Sequence, residues 1–246
     1  MYLSLADFKK RIEFSLCQQH ASDNDVRAFC DKAIQADVGV ACVNPVNIPL
    51  TVKRLKGQGI GISANVGFPF GSHLPEVKAL EARKAIEEGA TQIDMVINVG
   101  ALKSKRDNLV MEDIQGVVDA AEGNAVKTII ETWVLTNEEK ERACRIAENA
   151  GAALVKTTTG VRTQYLLEIN ADPLGATVAD MHLMRRVLGS KVKIKASGGI
   201  YTLDLAIELI RAGADQLGVS RGEKIIRKFT ENYPHGLKLS AHQIET

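Results

Sequence analysis

Short, almost uninterrupted apolar runs alternate along this chain with longer stretches whose apolar positions recur at helical spacing. The runs are Ile12–Ser15, Val38–Asn44, Gly61–Phe68, Gln92–Asn98, Ala125–Thr132, Ala153–Thr159, Val192–Ser197 and Gln216–Ser220. Runs of this kind mark parallel strands covered on both faces. Four of the intervening stretches carry helix-start signals. Asp23–Ala36 opens on a Ser22 or Asp23 cap, and Pro75–Glu88 has proline in its first turn. Thr136–Asn149 begins with a T-x-x-E capping box, and Thr202–Arg211 with a threonine cap. A repeat underlies the alternation. Gly89, Gly151 and Gly213 each close a helical stretch just before a strand, and two equal steps of 62 residues separate them. One further strand lies inside each step, so the unit is 31 residues, a strand plus a helix. A chain of 246 residues holds about eight such units. The pattern predicts a single (β/α)8 barrel over 1–246, with a polar tail from about residue 232. The segment between Gly160 and Thr177 breaks the rhythm, because it far exceeds the usual length of a strand-to-helix loop. Long loops at that end of a barrel build and cover the site.

Composition narrows the classes. Apolar residues make up 45% and charged residues 25%, as in an ordinary globular domain. A formal net charge of +1 gives no field that would gather nucleic acid or an anionic membrane, so neither is expected as a partner. No apolar run approaches the ~20 residues of a membrane span, and MYLSLADFKKRIEF lacks the apolar centre of a secretory signal. Cys17, Cys30, Cys42 and Cys144 form no C-x-x-C pair and read as reduced, mostly buried thiols in a cytoplasmic protein. A homo-oligomer, dimer or tetramer, is expected.

Charge inside the apolar runs changes the picture most. Lys156 lies in AALVKTTTG, Lys195 in VKIKASGG and Asp94 in TQIDMVINVG. Burying a charge costs several kcal/mol unless it is paired or neutralised. Residues two apart share a strand face. Asp94 therefore goes with Asn98, Lys156 with Thr158, and Lys195 with Lys193 and Ser197. If those faces point inward, the charges converge near the mouth of the barrel. Lys156 would then be an amine nucleophile toward carbonyl compounds. Lys195 would be the neighbouring cation that eases its deprotonation, and Asp94 a proton-transfer group between them. The alternative is that each lysine snorkels from a strand end and Asp94 merely pairs with one of them.

Two glycine turns follow. Gly198 and Gly199 come directly after the seventh run, and Gly218, Ser220 and Gly222 end the eighth. Loops after the last two strands of such barrels habitually hold phosphate, although tight turns use glycine in any case. NVGFPFGS at 65–72 lacks a dinucleotide fingerprint, and reads equally as a turn or as part of a binding surface. Cys42 could line the mouth or serve as a buried thiol. The histidines (His20, His73, His182, His235, His242) form no metal-ligand spacing, so no metal site is expected. No nucleophile elbow or Walker loop is present.

IDMVINVGALKS, KTIIETWVLTNEEK, LVKTTTG, VKIKASGGI, VNPVNIPL and GFPFGSHLPEVKALEA together resemble the class I deoxyribose-phosphate aldolase family, over about residues 23–225. The resemblance implies a metal-independent lyase without organic cofactor. Such an enzyme cleaves 2-deoxy-D-ribose 5-phosphate reversibly to acetaldehyde and glyceraldehyde 3-phosphate. It implies that Lys156 forms the imine, that Lys195 is the second lysine and Asp94 the catalytic aspartate. Gly160, Gly198, Gly199, Gly218, Ser220, Arg221, Thr158 and Asn98 would surround the substrate. The chain departs from the family in four places. Ile12-Glu13-Phe14-Ser15-Leu16 replaces I-D-H-T-L, with an acid one methylene longer and no histidine. Tyr201 replaces the arginine of G-G-[IV]-R-T, Arg221 stands where a small residue is commoner, and the loop after Gly160 is longer. Arg221 and Arg162 are the cations left to meet a phosphate. Two alternatives therefore stay open: an aldolase of the same chemistry for another, even unphosphorylated, acceptor, and a non-catalytic phosphosugar-binding barrel.

Overall fold

The computed structural model describes residues 2–168 and 175–239. Eight parallel strands close into a barrel in chain order. They are β1 (Ile12–Leu16), β2 (Val40–Val43), β3 (Gly61–Val66), β4 (Gln92–Val96), β5 (Ala125–Ile129), β6 (Leu154–Lys156), β7 (Lys193–Ser197) and β8 (Gln216–Val219). Closure comes from β1, which pairs with both β2 and β8 (Glu13 opposite Val40 on one side and Gly218 on the other). All eight apolar runs became strands, most of them one to four residues shorter than the run.

Helices fill the outer ring, and the anticipated caps hold them. Ser22 and Thr136 both make complete capping boxes, with Asp25 and Glu139. Thr202 accepts a hydrogen bond from Leu205 N at 3.2 Å. The three repeat glycines all take left-handed φ, between 89° and 114°, the conformation that ends a helix cheaply only for glycine. The apolar core lies between sheet and helices. At the barrel bottom Phe8, fully buried on the helix Leu5–Arg11, stacks on Phe229 with ring centroids 4.2 Å apart. Part of the expected tail is structured: Leu237–Lys238 pairs antiparallel with Tyr2–Leu3, and Leu239 is buried. Residues 240–246 of that tail lie outside the described residues. So do 169–174 of the long loop, whose near end forms the helix Gln164–Glu168. Among the described residues, no helix is long and apolar enough to cross a membrane.

Candidate active site

Strand register decides which inward side chains meet. Asp94 is level with Asn65 and Lys127, and Lys156 is level with Lys195. Inward residues of six strands (Glu13, Ser63, Asp94, Lys127, Lys156 and Lys195) therefore form one buried cluster. Asp94 is fully buried at its centre. Its Oδ2 accepts from Lys156 Nζ at 2.7 Å and from Lys195 Nζ at 2.6 Å. Its Oδ1 accepts from Lys127 Nζ and Ser63 Oγ, each at 2.8 Å. Glu13 closes the other side, accepting from Lys127 at 2.6 Å and, in a very short contact, from Lys195.

The electrostatics follow from this crowding. Burial alone would push the Asp94 carboxyl up, but Lys127, Lys156 and Lys195 outweigh it and hold Asp94 well below the usual carboxylate range. Glu13 is raised by burial and by Asp94, yet the same lysines bring it below its ordinary value. Burial disfavours the charge on Lys195 and on Lys127, but Asp94 and Glu13 keep both above the ordinary lysine value. Three amines thus face two carboxylates. Lys127 and Lys195 each touch both acids, whereas Lys156 touches only Asp94 and shares that oxygen with Lys195. The cluster is charge-balanced when Lys156 is the free amine.

Lys156 is also the one member of the three with a way out. It is 6% exposed, against 0% for Lys127 and Lys195. It opens into a cavity of ≈ 790 Å³ at the C-terminal mouth of the barrel. Glu13, Gly160, Ser197, Gly198, Gly199, Gly218 and Ser220 line the same space, as do Phe68 and Pro69 from the NVGFPFGS stretch. The glycine turn is required by packing. Gly198 has φ 86°, and a Cβ there would sit 2.5 Å from Thr158 Oγ1 and 3.1 Å from the Trp133 ring. The far end of the long loop rests on this turn, through Ala176 N donating to Gly198 O at 3.0 Å.

Other expected site residues stand elsewhere. Asp94 and Lys195 lie beneath the cavity floor rather than in it. Thr158 is buried, its hydroxyl donating to Ser197 O at 2.8 Å. Asn98 caps the helix Val99–Lys103 by accepting from Ala101 N at 2.9 Å. Arg221, exposed, heads the helix Gly222–Asn232 next to Ser220, and neither it nor Arg162 is among the lining residues. Cys30, Cys42 and Cys144 are buried, as the reading of mostly buried thiols expects, whereas Cys17 is only partly so and lines the cavity.

Reading the chain alone missed Lys127. It sits in AVKTI, at the correctly placed start of the run Ala125–Thr132, as a fourth charge in a fourth apolar run, so the signal was present. Glu131 was also missed. It takes a left-handed φ of 59°, accepts from Thr159 N at 3.2 Å, and is pushed up to about 7 by burial. The donors of Glu13, Cys42 and Asp94 lie within 4.8 Å of one another, close enough to grip a metal ion. The carboxylate oxygens in that group already accept from lysine ammonium groups, which would repel a cation, so the set does not fit one.

The charge count can be tested. Lys127→Met leaves two amines for two carboxylates, so Lys156 is needed as an ammonium. Turnover should fall roughly ten- to a hundredfold at neutral pH, the scale of one lost charge contact in a buried cluster, and recover as pH rises. Unchanged turnover at neutral pH would show that Lys127 is structural only.

An amine at the floor of an open cavity, backed by a bridged carboxylate and two ammonium groups, suits reactions that make or break carbon–carbon bonds beside a carbonyl. Fold and site together define a barrel lyase of the aldolase class. Residues 6–228 match the model of the DeoC/LacD family aldolases, and the chain belongs to that family. It is 42% identical over 226 residues to the deoxyribose-phosphate aldolase of Bacillus subtilis (strain 168), covering 92% of this chain and 96% of that one. It is 44% identical over 215 residues to the enzyme of the same name from Methanothermobacter thermautotrophicus, covering 87% and 92%. The tetrameric deoxyribose phosphate aldolase of Aeropyrum pernix superposes with a TM-score of 0.82 at 28% identity, over 93% of both chains.

Proposed function

We propose that this aldolase cleaves and forms 2-deoxy-D-ribose 5-phosphate through an imine on Lys156. The observation that carries the reading is the single amine that combines access to the cavity with a buried proton network. The names of relatives that match nearly the whole chain support the substrate.

Lys156 attacks C1 of the open-chain sugar, and the carbinolamine loses water to give an iminium. Removal of the C3 hydroxyl proton breaks the C2–C3 bond. The electron pair is taken up by the iminium as an enamine, and glyceraldehyde 3-phosphate leaves. Protonation at C2 and hydrolysis then release acetaldehyde and restore the amine. Asp94 Oδ2, shared by Lys156 and Lys195, offers a path by which a proton moves between the two lysines. Lys195 is the ammonium donor, and water in the cavity completes the transfer. Glu13 and Lys127 complete the ion-pair cluster, in which Lys156 is the one amine bound to a single acid. No step asks for a metal or an organic cofactor. The phosphate would meet the bare backbone of Gly198 and Gly199 and the residues around Gly218 and Ser220, at the head of the helix Gly222–Asn232. Homo-oligomerisation belongs to the same proposal, on the precedent of the A. pernix tetramer.

The test is to supply 2-deoxyribose 5-phosphate and unphosphorylated deoxyribose side by side and assay acetaldehyde. The phosphosugar should be cleaved with much the lower KM. Arg221→Ala should raise that KM about tenfold or more, the worth of a charge-assisted hydrogen bond of roughly 1.5–3 kcal/mol, and leave deoxyribose untouched. An enzyme that prefers the free sugar and ignores the substitution would instead indicate a repurposed acceptor pocket.

A further inference from the structure

Two thiols stand together at the cavity, Cys17 in its wall and Cys42 buried just behind, and the aldol chemistry uses neither. Cys42 lies opposite Ser15 in the β1–β2 ladder, and Cys17 comes two residues after Ser15 on the same inward-facing side. The Asn65 side chain binds both. Its Nδ2 donates to Cys17 Sγ at 3.0 Å, and its Oδ1 accepts from Cys42 Sγ at 3.4 Å. One amide group thus holds the two sulfurs side by side, one at its nitrogen and one at its oxygen.

Their environments differ. Cys17 opens onto the cavity, whereas Cys42 is 1% exposed beneath it. The contact with Cys42 lowers the Cys17 thiol below its ordinary value, against the opposing effect of burial. The same contact, then burial and the charge of Asp94, hold Cys42 well above it. A reachable, acidic thiol beside a protonated, enclosed one is the arrangement in which the first is oxidised and the second resolves it.

We propose that Cys17 and Cys42 are an oxidative modification site in the substrate cavity, where a hydroperoxide converts the two thiols to a disulfide that arrests turnover. The Cys17 thiolate attacks a peroxide oxygen. The O–O bond breaks, the sulfur is oxidised by two electrons to a sulfenic acid, and the peroxide is reduced to water or alcohol. The Cys42 sulfur then attacks the sulfenic sulfur. The S–S bond forms, the S–O bond breaks, and the oxygen leaves as water with the Cys42 proton. Neither thiol then remains to bond Asn65 as before, and the end of β1, which carries Glu13, is drawn toward β2. A dithiol reductant restores both thiols by exchange and is itself oxidised. The arrest of turnover rests on the aldolase reading above, whereas the crosslink does not.

The test is to treat the full-length enzyme with graded hydrogen peroxide, map peptides without reduction, and assay cleavage before and after dithiothreitol. Trypsin separates the two cysteines into fragments 12–27 and 33–53. Those fragments should appear joined, with the loss of two hydrogens, in proportion to lost turnover. Dithiothreitol should reverse both changes. Cys144, which burial pushes up to about 12, and Cys30, raised for the same reason, should stay unmodified. In Cys42→Ala the resolving thiol is gone. Peroxide should then carry Cys17 on to sulfinic acid, and dithiothreitol should no longer restore that variant's own untreated rate. Fragments that never join, full joining with undiminished turnover, or a Cys42→Ala enzyme that recovers as the parent does would each overturn the proposal. If the untreated enzyme fails to cleave the sugar phosphate, the aldolase reading falls, while the mass of the joined fragments still decides the crosslink.

Discussion

Lys156→Leu should abolish sugar-phosphate cleavage, by on the order of 10,000-fold or more, while leaving the fold intact. The loss follows from removing the amine that opens to the cavity: Lys127 and Lys195 remain, but both are fully buried and tied to two acids each. The fold should survive because the substitution leaves two ammonium groups facing two carboxylates. Paired steady-state rates and thermal melts check both halves. A large drop in melting temperature would mean that Lys156 is held charged and acts as a structural partner of Asp94. Residual turnover within tenfold of the parent would mean that another group forms the imine.

Asp94→Asn should damage stability as well as rate. The amide keeps the shape of the side chain but offers one acceptor oxygen where the carboxylate served three lysines and Ser63. Breaking a buried ion pair by removing one charge costs about 3–5 kcal/mol, which in a chain of this size lowers the melting temperature by roughly 10 °C. The pH dependence has a definite sign. Because the folded-state value of Asp94 lies well below its ordinary one, its contribution is complete above the unfolded value and is lost as pH falls through the folded one. The stability gap between parent and variant should therefore be full above about pH 4 and close only in stronger acid. A gap that is absent at pH 7 would contradict the charge cluster itself.

The contrast between these two substitutions shows what the chain discloses by itself. The barrel was legible because each strand lies within an apolar run and the helices Asp23–Ala36, Asn137–Asn149 and Leu203–Arg211 start on polar caps. The spacing of Gly89, Gly151 and Gly213 marks the repeat, and all three end helices as that spacing implied. Lys156, Lys195 and Asp94 were legible for one reason: a charge inside an apolar run has to be accounted for. Lys127 met the same criterion and was passed over. Its meaning depends on register, which brings it level with Asp94, and register between strands separated by a whole helix is not written locally. Glu13 could be seen only as a departure from a familiar motif. That its carboxylate reaches both Lys127 and Lys195 is a property of barrel closure, since β1 joins the last strand to the second. Asn98 and Thr158 share strand faces with catalytic candidates, as alternation requires. Each lies past its strand's last residue, where the chain turns and the side chain serves a cap or a neighbouring carbonyl. Cys17 escaped notice because its significance comes from Cys42 and Asn65, on two other strands.

The most direct test of the central claim is to trap the intermediate. The enzyme is incubated with acetaldehyde, reduced with borohydride and mapped by mass spectrometry. The account predicts a single two-carbon adduct, on Lys156. An adduct on Lys195 or Lys127, with Lys156 unmodified, would contradict it.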